Sequence, residues 1–93
     1  MTDMHNPPHP GRILREALGG ITVTEAARRL HISRIMLSRI LNCSAGITAE
    51  MSLRLAALLG THESLWYDMQ RGYDMWQAKK RKRPKIERIR PAA

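Results

Sequence analysis

The apolar and polar positions of residues 22–42 follow the period of two short helices joined by a tight turn. The spacing predicts one helix over residues 23–30 and a second over residues 34–41, with His31 and Ile32 in the turn between them. Helices shorter than about 12 residues are not stable alone in water, so each must bury one face against the other. The pattern therefore predicts a helix-turn-helix, which can place its second helix in the major groove of DNA.

The residues that flank these two helices support the assignment. Thr22 precedes the first helix and Glu25 follows Thr22 by three positions, which is the spacing of a capping box, while Ser33 is placed to cap the second helix. The small pair Ala26–Ala27 would let the helices cross closely. His31 occupies a turn position that usually adopts the left-handed conformation, which His tolerates better than most residues. A looser turn closed by His31 is the alternative.

A helical wheel divides the second of these helices into two sides. The apolar side consists of Ile32, Met36, Leu37, Ile40 and Leu41. The opposite side carries Arg34, Ile35, Ser38 and Arg39. Arginine can form two hydrogen bonds to guanine, serine is adaptable, and an aliphatic side chain can contact the methyl group of thymine. This side is suited to reading DNA bases, although an ordinary solvated face would carry similar residues.

Three further helices are predicted from the same periodicity. One covers residues 10–18, because proline suits the first position of a helix and Gly19–Gly20 ends it. Another begins behind Thr48 and ends at Leu59, and the last covers about residues 62–79. The predicted apolar face of the first helix consists of Ile13, Leu14, Ala17 and Leu18, and that of the second consists of Met51, Leu55, Leu58 and Leu59. The apolar face of the last helix consists of Leu65, Trp66, Met69, Tyr73 and Trp76. The chain is therefore expected to be an all-α, five-helix domain.

The apolar face of the last predicted helix is large for a small domain. We expect part of it to cover the core and part to meet a second copy of the chain. Such packing explains the aromatic stripe better than a platform for a ligand or for stacked bases.

The charge of the 93-residue chain is concentrated at its end. Residues 1–78 contain eight Lys and Arg against seven Asp and Glu, whereas residues 79–93 contain eight against Glu87 alone. The net charge of +8 thus comes almost wholly from the final segment, and it favours a polyanionic partner such as nucleic acid.

Composition divides the chain into three segments: a Pro-rich arm (residues 1–9), a helix-turn-helix domain (residues 10–79) and a basic C-terminal tail (residues 80–93). The tail, which Pro84 separates from the preceding helix, has three interpretations. It is a disordered arm, a short strand that pairs only on assembly, or a solvated segment that maintains solubility.

Other classes of protein are not favoured. No apolar run approaches the length of a membrane span, and the N-terminus lacks the basic and apolar regions of a signal peptide. The single Cys43 cannot form an internal disulfide, so we expect a cytoplasmic protein. His5 and His9 have the spacing of metal ligands on a helix, but the prolines around them forbid that helix. We find no nucleophile setting, carboxylate pair, phosphate loop or metal cluster, so neither an enzyme nor a cofactor is predicted.

Three stretches together resemble the HigA-type antitoxins, also described as virulence-associated protein I-like, within the Xre/Cro-type (lambda-repressor-like) superfamily. They are residues 6–18 (N-P-P-H-P-G-R-I-L-R-E-A-L), residues 30–60 around the helix-turn-helix, and residues 64–78 (S-L-W-Y-D-M-Q-R-G-Y-D-M-W-Q-A). The resemblance implies an all-α homodimer that binds operator DNA and represses its own operon. It also implies a protein partner, a small RelE- or HigB-like toxin that is usually an mRNA-cleaving ribonuclease.

The resemblance also implies roles for single residues. The positions that face DNA in such repressors are occupied by Ser33, Arg34, Ile35, Ser38 and Arg39. Val23 departs from the family pattern, because a phosphate-binding Gln is common there, and this places that contact in doubt. His31 and Cys43 replace usual glycines, which concerns the stability of the turns.

Two other functions remain open on the sequence alone. A stand-alone repressor would need no toxin, and an RNA-binding or scaffold protein would act through the basic tail. Specific binding to duplex DNA would exclude the last of these. A neighbouring gene for a small basic protein would favour the antitoxin.

Overall fold

A computed structural model of the chain describes residues 6–90. Its helices are α1 (Pro10–Leu18), α2 (Val23–Leu30), α3 (Arg34–Leu41), α4 (Ala49–Leu59) and α5 (Leu65–Lys80). No strand occurs within residues 6–90, and the predicted all-α, five-helix architecture is confirmed. None of the helices in this part of the chain is long and apolar enough to cross a membrane.

The first four helices each begin at a side chain that accepts a hydrogen bond from the backbone of the first turn. These caps are His9, Thr22, Ser33 and Thr48, which accept from the N–H groups of Gly11, Glu25, Met36 and Met51 at 2.9, 3.1, 3.0 and 3.1 Å. The predicted capping box of α2 is formed on its Thr22 side. The Glu25 carboxylate instead bonds to Arg28 and Arg29 on the next turn.

The core lies where the five helices meet. Its buried apolar residues are Leu14, Ala26, Ala27, Leu30, Leu37, Ile40, Leu41, Ile47, Met51, Leu55 and Trp66. Trp66 is the largest of them, and its indole N–H donates to Thr61 Oγ1 at 3.1 Å, so this buried ring leaves no donor unsatisfied.

Helix α1 approaches α3 at backbone distance through Gly11. A Cβ atom at this position would overlap the carbonyl oxygen of Ile40, so glycine is required by the close contact of the two helices. The buried residues of α1 are Pro10, Gly11 and Leu14. Ala17, which was predicted to be buried, lies to one side of this stripe and is exposed.

Helix α5 begins at Leu65, three residues later than predicted, and ends at Lys80. Contacts with α4 account for this later start. The Ser52 hydroxyl of α4 donates to the Glu63 carbonyl at 2.7 Å and accepts from the Tyr67 N–H at 3.1 Å, which holds the preceding turn against α4. Because the buried residues of α5 are Trp66 and Gln70, Leu65 turns outward and is 39% exposed, contrary to the prediction.

The remaining predicted faces are buried to different degrees. Met36 borders the exposed side of α3 and is 39% exposed, whereas Leu37, Ile40 and Leu41 are buried as predicted. On the predicted apolar faces of α1, α4 and α5, the half-buried residues are Ile13, Leu18, Leu58, Leu59, Met69, Tyr73 and Trp76. Residues 81–90 are all exposed and form neither helix nor strand.

Candidate nucleic-acid interface

The turn between α2 and α3 is tight and left-handed. His31 has φ 58° and ψ 43°, as one of the two predicted alternatives required, and its N–H bonds back to the carbonyls of Ala27 and Arg28. Cys43 is also left-handed, with φ 63°, directly after α3. A residue with a side chain pays about 1–2 kcal/mol for this conformation, a cost that glycine would largely avoid.

Arg54 of α4 stabilises this turn from outside the motif. Its Nη1 donates to the carbonyl oxygens of Leu30 and His31, each at 3.0 Å, while its Nε donates to Glu50 at 3.0 Å. The last carbonyls of a helix lack partners within the helix and carry partial negative charge. A guanidinium placed there satisfies them and ties the turn before α3 to α4.

Arg15 of α1 acts in the same way at the far end of α3. Its Nη2 donates to Asn42 Oδ1 at 3.1 Å and to the Leu41 carbonyl at 3.4 Å. Helix α3 is therefore restrained at its start by the α2–α3 turn and at its end by α1.

Gln70 of α5 holds the segment that follows α3. The side chain is buried, accepts from the Ile47 N–H at 2.9 Å through Oε1, and donates to Asp74 Oδ1 at 2.9 Å through Nε2. Gly46 lies directly over this amide, where a Cβ would stand 3.2 Å from the Gln70 amide carbon.

The predicted DNA-facing residues are brought together on one side of α3. Ser33, Arg34, Ile35 and Arg39 are exposed, and Ser38 is half-buried at the margin of the same side. Ile35 is 74% exposed, so its aliphatic side chain is accessible on this face. Within residues 6–90, the guanidinium groups of Arg34 and Arg39 form no ion pair with a carboxylate. The face therefore presents two available guanidinium groups beside an aliphatic side chain.

The neighbouring charges on α2 form a separate cluster. Hydrogen bonds from Arg28 and Arg29 lower the pKa of the Glu25 carboxyl to about 2, so Glu25 is ionised at neutral pH. The two arginines and the glutamate share these bonds within α2. This carboxylate is therefore held by its own helix, and the cluster keeps one net positive charge beside α3.

Other candidate positions have structural roles. Val23 is half-buried and packs against the core, so it supplies no polar group toward DNA. The His9 ring caps α1 and meets the Tyr73 ring edge-on, with 4.9 Å between ring centroids. His5, its predicted spacing partner, lies outside the described residues. Within residues 6–90, no cluster of His, Cys, Asp or Glu could hold a metal ion.

Sequence analysis did not identify the supporting residues Arg15, Arg54 and Gln70. The Glu50–Arg54 pair has the i, i+4 spacing of an ion pair within a helix, which was a usable signal for that contact alone. Their bonds to the helix-turn-helix join residues 23 to 27 positions apart, and no local pattern marks such partners.

Comparison with known proteins agrees with this architecture. A family model described as helix-turn-helix matches residues 12–66. The virulence-associated protein A' of Dichelobacter nodosus is 40% identical over 77 residues, which cover 80% of this chain and 67% of that protein. An addiction module antidote protein of a HigA family from Coxiella burnetii has a TM-score of 0.77 at 38% identity, covering 81% of this chain and 85% of that one. The Pseudomonas aeruginosa antitoxin HigA, solved with the higBA promoter, has a TM-score of 0.74 at 35% identity, covering 77% of this chain and 82% of that one.

The chain therefore belongs to the helix-turn-helix family of Xre-type DNA-binding proteins. Within that family, its resemblance to the HigA-type antitoxins is confirmed, because the two HigA structures named above each match more than three quarters of the chain.

Proposed function

We propose that the protein is not an enzyme but the antitoxin of a type II toxin–antitoxin system. It acts as a homodimeric repressor that binds the operator of its own operon and neutralises a RelE- or HigB-like toxin that cleaves mRNA. The observation that carries the proposal is the exposed face of α3, held from both ends, on a fold similar to that of an antitoxin solved with its promoter.

Each residue of this face has a role that follows from its chemistry. Arg34 and Arg39 bind guanine O6 and N7, and Ile35 contacts a thymine methyl group. Ser33 and Ser38 form adaptable hydrogen bonds at the two ends of the contact. Ser33 also caps α3, so its hydroxyl is already oriented by the Met36 N–H at 3.0 Å.

The test is operator binding by the full chain. Arg34→Ala and Arg39→Ala should each weaken binding to the promoter of the operon by about 1–3 kcal/mol and relax the base preference at one position. Arg71→Ala is the matched control, because Arg71 is an exposed arginine outside the motif and its change should leave binding within error. Unchanged affinity in both α3 variants would reject α3 as the reading helix.

A dimer is part of the proposal because one α3 contacts too few base pairs to select a site. Two copies related by a two-fold axis would read half-sites about 34–36 Å apart, one turn of DNA. An apolar residue is available for the contact between copies, since Met75 of α5 is 59% exposed. Light scattering should give twice the chain mass, and footprinting should show two half-sites. A monomer that protects a single half-site would contradict this.

The toxin contact is proposed for the N-terminal part of the body. RelE-like toxins are usually basic, so the basic tail is an unsuitable surface, whereas residues 1–78 are nearly neutral. Glu16 of α1 is exposed, and Asp3 lies outside the described residues. We expect residues 1–20 to form the contact.

Co-expression with the product of the adjacent reading frame tests the toxin proposal. The two proteins should co-purify, and the antitoxin should relieve growth arrest. Deletion of residues 1–6 keeps the His9 cap of α1 and should weaken the complex more than deletion of residues 80–93. If no adjacent frame encodes a growth-inhibiting protein, or its product never co-purifies, the protein is a stand-alone repressor.

A further inference from the structure

The basic tail has a charge that the helical body does not use. Residues 80–90 of this tail contain seven Lys and Arg against Glu87 alone. None of the ion pairs formed within residues 6–90 includes a tail residue. These pairs are Glu25–Arg28, Glu25–Arg29, Glu50–Arg54 and Asp68–Arg71. Every residue from Arg81 to Arg90 is exposed. The positive charge is therefore available to a partner outside the body.

The start of this segment is fastened to the end of α5. The Lys80 ammonium lies over the Trp76 ring, 4.1 Å from its centroid, which is a cation–π contact. The Arg83 guanidinium folds back and donates to the Ala78 carbonyl at 2.9 Å. Pro84 then restricts the backbone. The described residues extend 53 Å along their longest axis and 24 Å along each of the other two.

We propose that the tail lies along the phosphate backbone of the DNA that flanks the operator and adds affinity that is independent of base sequence. This inference rests on the proposed operator binding by α3. Ten extended residues, 81–90, reach at most about 33–36 Å, close to one turn of DNA. The tail can therefore contact phosphates beyond the base pairs that α3 reads.

Charge favours DNA over a second protein as the occupant. Ile86 and Ile89 are exposed and suit an apolar contact, but six basic groups lie within residues 81–90 around them. In a dimer the two tails would repel each other unless a polyanion lies between them. The body, with eight basic against seven acidic groups in residues 1–78, offers no comparable attraction to the tail.

The first test is the salt dependence of operator binding by a full-length variant in which Lys82, Lys85, Arg88 and Arg90 are all replaced by Gln. This variant retains the chain length, the Arg83 contact and both isoleucines. Each phosphate contact contributes roughly −0.9 to the slope of log affinity against log salt, so four lost contacts flatten it by up to about 3.6. Between 50 and 200 mM salt, the unmodified chain would then lose up to roughly 150-fold more affinity than the variant. Flattening by about 2 or more supports the proposal, and a smaller change overturns it.

The matched control carries Ile86→Ser and Ile89→Ser and keeps every charge. It should retain the steep salt slope and the same mass by light scattering. If instead this control dissociates the dimer and loses operator binding while the Gln variant binds like the unmodified chain, the tail is an assembly segment and the proposal is wrong.

The second test compares an operator duplex trimmed to its footprint with one extended by about one turn on each side. The unmodified chain should bind the longer duplex at least about fivefold more tightly at low salt, because added phosphates meet the tail. The Gln variant should bind both alike. Equal binding of both duplexes by the unmodified chain, with operator preference retained, overturns the tail contact and leaves the proposed function intact. Loss of preference for the operator over a scrambled duplex of equal length overturns the proposed function itself.

Discussion

Replacing Gln70 by Leu isolates the contribution of one buried amide to the DNA-binding motif. The substitution keeps a side chain of similar size in the core and removes two hydrogen bonds, one from the Ile47 N–H and one to Asp74. Ile47 is only 2% exposed and Gln70 only 5%, so water cannot readily replace the lost acceptor. The Ile47 N–H is left buried and unpaired.

The expected cost follows from the different surroundings of the two partners. A buried donor without an acceptor costs about 1–3 kcal/mol. Asp74 is exposed and can return to water, so its lost bond adds little. We expect Gln70→Leu to lower the free energy of unfolding by about 2 kcal/mol, which for a domain of this size lowers Tm by roughly 8–16 °C.

Urea unfolding followed by tryptophan fluorescence measures this change directly. Asp74→Asn is the matched control, because its amide oxygen can still accept from Gln70 Nε2, and it should cost less than about 1 kcal/mol. Operator affinity, measured well below the Tm of each variant, tests the functional consequence. It should fall in Gln70→Leu because the segment after α3 loses its restraint. A Gln70→Leu protein with unchanged unfolding free energy and unchanged operator affinity would refute this account of the amide.

Three further changes test other parts of the structure. Gly11→Ala should lower the free energy of unfolding by about 1–3 kcal/mol because its methyl group meets the Ile40 carbonyl. Gly20→Ala is the control and should be nearly neutral, because a Cβ there meets nothing within 4 Å. Equal stability of the two variants would disprove the close contact. His31→Gly should stabilise by up to about 1 kcal/mol by relieving the left-handed strain, and a clear loss of stability would show that the imidazole contributes more than the strain costs. Burial lowers the pKa of the His9 imidazole below its usual 6.5, with partial opposition from Asp74. The neutral ring that caps α1 is therefore fully stabilising above about pH 6.5, and stability should fall as the pH drops below that value. His9→Asn is the control, because asparagine can cap the helix but does not titrate. If the free energy of unfolding of this variant and of the unmodified chain changes in parallel between pH 8 and 5, the titration of His9 does not affect stability.

The sequence predicted the helices whose determinants are local. Helices α1, α2 and α3 have the predicted bounds, because proline at the first turn, the capping hydroxyls and the glycine stop act within a few residues. The exposed side of α3 was also predictable, since a short helix with one apolar face leaves the other to solvent. Whether Ser33, Arg34, Ile35, Ser38 and Arg39 contact DNA stays a prediction.

The features that were missed depend on distant residues. The late start of α5 results from Ser52, eleven positions before the Glu63 carbonyl that it binds. Gln70 lies on the buried face of α5, where periodicity predicts an apolar residue, and only its partner Ile47 explains it. The two capping arginines, Arg15 and Arg54, resemble ordinary surface charges in the sequence, because the carbonyls that they bind belong to other helices.

The support of α3 from neighbouring helices has an evolutionary consequence. The side chains of Arg34, Ile35 and Arg39 form no hydrogen bond or ion pair with another described residue, while the orientation of the helix is maintained by Arg15, Arg54 and the turn. Under the proposed function, operator preference can therefore change by substitution on the outer face without loss of the contacts that orient the helix. Duplicated copies of the gene in one genome can then acquire separate operators. Each protein would no longer bind the operator of the other, although both keep the same fold.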